Sequence, residues 1–92
     1  MLETRDQQQV YVKFLVMGHS IRQLQNMLGT LRTLHQLARE EELDLLRKLD
    51  YIGLRAKDVP LLNKLDKLND RINYIGMLMS LTSEAMIKKV SG

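Results

Sequence analysis

The chain has 92 residues and a formal net charge of +3, so it forms one domain with a core too small to hide a deep active site. It contains no cysteine, which excludes disulfide staples and thiolate metal sites, and only four aromatic residues, too few for a strand-built core. The longest apolar run, Phe14 to Met17, falls far short of a membrane span, and no basic segment followed by an apolar one marks a signal peptide, so a cytoplasmic protein is expected.

The organising feature is one apolar stripe. It runs through Val10, Phe14, Met17, Ile21, Leu24, Leu28 and Leu31 in alternating steps of four and three. It then passes His35, resumes at Ala38, skips at Glu42 and continues through Leu45, Leu49 and Ile52. That alternation is the seam of a helix packed lengthwise against other helices.

The first arm, residues 7–17, fits two patterns. Val10, Val12, Phe14 and Val16 alternate as in a strand, while Val10, Phe14 and Met17 share a helical face in phase with the stripe downstream. The second pattern predicts a helix. Gly18, His19 and Ser20 allow a kink or short break at 18–20, and the phase kept from Met17 to Ile21 equally allows the seam to cross it. Ser20 and Gln23 have capping-box spacing, and Gly18 suits the end of a preceding segment.

A long helix is predicted over 20–52. Gly29 costs it about 1 kcal/mol against alanine and suits close approach of another helix. Glu40, Glu41, Glu42 and Asp44 read as a solvated turn, with Asp44 and Lys48 in the favourable acid-before-base order. A connection follows over 53–59. Gly53 is placed for a left-handed stop with Leu54 against Leu49, and Pro60 suits the first turn of the next helix.

The second long helix is predicted over about 60–89. Its seam is Leu61, Leu65, Leu68, Ile72, Ile75, Met79, Thr82 and Met86, widened by Leu62, Leu78, Ile87 and Val90. So broad a stripe suits contact with two neighbours. The short connection makes the two long helices antiparallel. The expected fold is therefore all-α, a long antiparallel helical hairpin that assembles into a helical bundle or coiled coil.

In that arrangement Val10, Phe14, Met17 and Ile21 project past the hairpin with nothing to cover them. The stretch from Gln7 to Arg39 has no acidic residue, and interface centres are depleted in charge. Self-association as a homodimer, or assembly as a subunit of a larger protein complex, follows as the expectation. The competing arrangement is a monomeric three-helix domain in which residues 7–17 fold back over the hairpin.

Chemistry is sparse. His19 and His35 are sixteen apart, too far for two imidazoles to meet one metal on a helix, and His35 reads as a polar residue in the seam. No Glu-x-x-His pair, phosphate-binding glycine loop or nucleophile elbow is present. No catalytic residue, cofactor or metal is therefore expected.

The methionines Met17, Met27, Met77, Met79 and Met86 gather toward one end of the hairpin, either as gap-filling core or as an adaptable binding surface. The expected function is a non-enzymatic protein-interaction module: a small assembly subunit, adaptor or chaperone-like binder. Its contact residues would be Val10, Phe14, Met17, Ile21, Leu24, Met27 and Met86. A helical hairpin with a proline-started second helix resembles, in pattern, small bacterial assembly subunits and chaperones, including those of type III secretion. The alternative is a small regulator binding nucleic acid through Arg22, Arg32, Arg39 and Arg47 of the first long helix.

Overall fold

The structure, a computed structural model, describes residues 2–52 and 59–92. Helix α1 spans Arg5–Gly18, α2 spans Ile21–Ile52 and α3 spans Val59–Ser91, with no strand among the described residues. The fold is all-α, and α2 and α3 form the long hairpin. Pro60 falls in the first turn of α3, as its missing donor requires. The expected stop at Gly53 and the contact of Leu54 with Leu49 lie outside the described residues.

Each of the first two helices starts on a reciprocal cap. At α1 the Thr4 hydroxyl accepts from the Gln7 backbone N–H (3.2 Å), and the Gln7 side chain accepts from the Thr4 N–H (3.3 Å). At α2 the Ser20 hydroxyl accepts from the Gln23 N–H (3.1 Å), and the Gln23 side chain accepts from the Ser20 N–H (2.8 Å). These bonds satisfy donors that an uncapped helix start leaves open.

Of the two possibilities at 18–20, the structure has the break. His19 is extended (φ −136°, ψ 144°), so α1 ends there and the chain turns back on itself. The stop does not use a left-handed glycine, since Gly18 is the last helical residue and has no positive φ. Helix α1 therefore does not project past the hairpin; it lies alongside it, against α3.

Polar contacts fix the direction of α1. Gln8 reaches Met77, Gln9 reaches Glu84 and Lys88, and the Lys89 ammonium donates to the Val16 carbonyl at 2.9 Å. Residue numbers rise together on both helices, so α1 runs parallel to α3 and antiparallel to α2. The chain has the three-helix, folded-back arrangement.

The core is in two parts. At the α1 end, Val12 and Leu15 of α1 meet Leu24 of α2 and Leu81 and Ala85 of α3. Toward the other end, Ala38 and Leu45 of α2 meet Leu68 and Ile72 of α3. Burying one such leucine or valine stabilises the fold by roughly 1.5–3 kcal/mol. Thr82 is fully buried in the α3 seam, and its hydroxyl is satisfied by the Leu78 carbonyl at 2.7 Å. Gly29 has no neighbour within 4 Å of where a Cβ would stand, so no helix of this chain approaches it closely.

Candidate interaction surface on the first helix

Helix α1 is apolar on both sides. Its inner side is closed: Val12 is 0 % and Leu15 1 % exposed. Its outer side carries Val10, Phe14 and Met17, which are 68 %, 62 % and 85 % exposed. The cause lies in the joint. A continuous helix would put Val10, Phe14 and Met17 in line with Leu24, but the extended residue at His19 resets the phase and turns Val12 and Leu15 inward instead.

The seven expected contact residues therefore divide. Val10, Phe14 and Met17 form the open outer face of α1, with Ile21 half-buried beyond the joint. Leu24 is fully buried in the core, and Met27 and Met86 are partly buried against it. Met77 joins them there, so Met27, Met77 and Met86 fill gaps in packing while Met17 stands in solvent.

Along the outer face runs a shallow hollow of about 490 Å³, bounded by Leu2, Asp6, Gln7, Val10, Tyr11 and Phe14. Leu2 and Tyr11 are parts of this surface that the stripe does not contain. A capping-box signature, Thr4 followed by Gln7, marks the start of α1 and would have brought Leu2 and Tyr11 into view. Tyr11 is partly buried; burial pushes its phenol above the ordinary tyrosine value, and the nearby Tyr74 adds to the rise. On the far side of Tyr11, a second hollow of about 350 Å³ lies between α1 and α2, walled by Met27, Thr30 and Leu31 and by Leu78 of α3.

A small polar cluster holds α1 in place. Gln9 donates to the Glu84 carboxylate (3.1 Å) and accepts from Lys88 (3.0 Å), and Arg5 lies 3.6 Å from Glu84. The hydrogen bond from Gln9 holds the Glu84 carboxyl below the ordinary carboxylate value against an opposing effect of burial, with Arg5 and Lys88 assisting.

The other polar candidates are dispersed. His35 is half-buried and faces Gly76 across the α2–α3 contact, its Nε2 3.9 Å from where a Cβ would stand. Glu40, Glu41 and Asp44 are exposed. Asp44 pairs with Arg47 at 3.7 Å, one turn position short of the expected Lys48. Arg22, Arg32 and Arg39 are exposed along α2, and none stacks on an aromatic ring among the described residues. Among the described residues no three His, Asp or Glu side chains stand close enough to hold a metal ion, and no helix is long and apolar enough to cross a membrane.

No family model, curated protein or solved structure matches the chain.

Proposed function

We propose that the chain is a non-enzymatic, cytoplasmic protein-interaction module that binds through the outer face of α1, as a small assembly subunit, adaptor or chaperone-like binder. The observation that carries this is the exposure of Val10, Phe14 and Met17 on a helix whose other side already has its core. A surface helix normally turns charged and polar residues outward. Apart from the edge of Phe14 against His19, these three large apolar side chains, one turn apart on the solvent side, join no core cluster among the described residues.

The test is substitution of Phe14→Asp and Met17→Asp, with mass measured by light scattering for the purified chain and for the chain in cell extract. Each substitution is expected to lower the mass of the complex while leaving the helical circular dichroism unchanged. A mass unaffected by both substitutions in both settings would remove α1 as the binding face.

A further inference from the structure

We infer that the occupant of the α1 face is a second copy of this chain, lying antiparallel to the first about a two-fold axis; this rests on the outer face of α1 being the binding face. The argument starts from the edges of that face. At about 100° per residue, Asp6 and Lys13 fall on one edge of the line through Val10, Phe14 and Met17. Both are exposed, and neither makes an ion pair among the described residues. The opposite edge carries Thr4, Tyr11 and Gly18 and has no charge.

Two identical helices lying face to face can run in either direction. If they run parallel, each edge meets the opposite edge, and Asp6 and Lys13 face only uncharged residues. If they run antiparallel, each edge meets its own copy. Asp6 of each copy can then sit against Lys13 of the other, giving two unlike-charge contacts from one two-fold axis. Sliding the pair by one heptad in either direction sets Lys13 against Lys13 or Asp6 against Asp6. Unlike charges thus mark a single direction and a single register, and repulsion disfavours the neighbouring ones.

The same register disposes of the apolar residues. Val10 of one copy crosses Gln7 of the other, and Phe14 comes over the far end of the other copy's hollow, beside Leu2 and Asp6, that hollow being walled at its near end by the copy's own Phe14. Helix α1 therefore carries both a projecting ring and a recess to receive it, which is the self-complementarity an isologous interface needs.

The test is charge reversal in the full-length chain, with self-association measured by sedimentation equilibrium at about 50 mM salt, where surface charges are little screened. The parent is expected to be a dimer. Asp6→Lys and Lys13→Glu should each weaken dimerisation by about 10- to 100-fold, because each converts two attractive contacts to repulsive ones. The double variant D6K/K13E should recover to within about threefold of the parent, since every contact is again unlike. Lys13→Glu lies mid-helix, so its effect is free of the loss of an acid from the first turn of α1 that accompanies Asp6→Lys. Circular dichroism of each variant controls for folding.

Charge reversals that leave the dimer unchanged, or a double variant no better than the singles, would overturn the antiparallel register. A parent chain that stays monomeric up to about millimolar concentration, yet loses a different protein partner on Phe14→Asp, would overturn self-pairing while leaving the α1 face as the binding face. A mass indifferent to Phe14→Asp in every setting would remove both.

Discussion

The ring of Phe14 meets the imidazole of His19 edge-on across the joint between α1 and α2, with centroids 5.8 Å apart and planes at 70°. The contact fixes one edge of an otherwise exposed ring, so Phe14 is oriented before any partner arrives. The same His19 has a buried Nδ1 with no hydrogen-bond partner among the described residues. A buried polar atom without a partner costs about 1–3 kcal/mol. His19→Phe keeps an edge-on neighbour for Phe14 and removes that atom. It should raise stability by about 1 kcal/mol in urea unfolding; a drop in stability would show that Nδ1 is satisfied in solution.

Leu15 and Phe14 are adjacent in sequence and opposite in role. Leu15→Ala opens a cavity where α1 meets α3 and should cost about 2–5 kcal/mol. Phe14→Ala removes a side chain that is mostly in water, so at concentrations too low for association it should cost about 1 kcal/mol or less. Equal costs for the two substitutions would mean that the inner and outer sides of α1 have been interchanged.

The cluster around Glu84 makes the docking of α1 sensitive to acid. Gln9, then Arg5 and Lys88, hold the folded carboxyl below its ordinary value, so the unfolded chain takes up the proton at higher pH than the folded chain does. The stabilisation is complete above the unfolded carboxyl value of about 4.3 and is lost as pH falls through the lower folded value. Urea midpoints of the parent and Glu84→Gln should therefore lie furthest apart near neutral pH and converge in acid. A gap that widened in acid would have the wrong sign.

Gly29 sits in the interior of α2 with open space around it. Alanine is better than glycine in an exposed helix interior by about 1 kcal/mol. Gly29→Ala should stabilise the isolated chain by about that amount in thermal or urea unfolding. Destabilisation would reveal a close approach at this position that the single chain does not contain.

The long helices were legible because their seams persist. Leu24, Leu28, Ala38, Leu45 and Leu49 on α2, and Leu68, Ile72, Ile75 and Thr82 on α3, are buried where the three-and-four spacing puts them. The start of α2 was equally plain from Ser20 and Gln23. The path of α1 was not, because a seam can be followed only while the helix continues. Gly18, His19 and Ser20 preserve the spacing from Met17 to Ile21 in sequence, and nothing in that spacing records that His19 is extended. Leu15 and Val12 accordingly took the core positions, and Val10, Phe14 and Met17 were turned outward. The outer face was thus anticipated as uncovered, but for a different geometric reason: it points away from the bundle rather than extending beyond it.

The two apolar clusters share no residue. Between them lie buried Leu28 and half-buried Leu31 and His35 on α2 and buried Ile75 on α3, none of which joins either cluster. A rod whose interior divides into two clusters need not melt in a single step. Calorimetry should record a larger enthalpy than the sharpness of the transition implies. Amide protons over 38–49 and over 21–28 should exchange with different opening energies, each set by its own half of the rod.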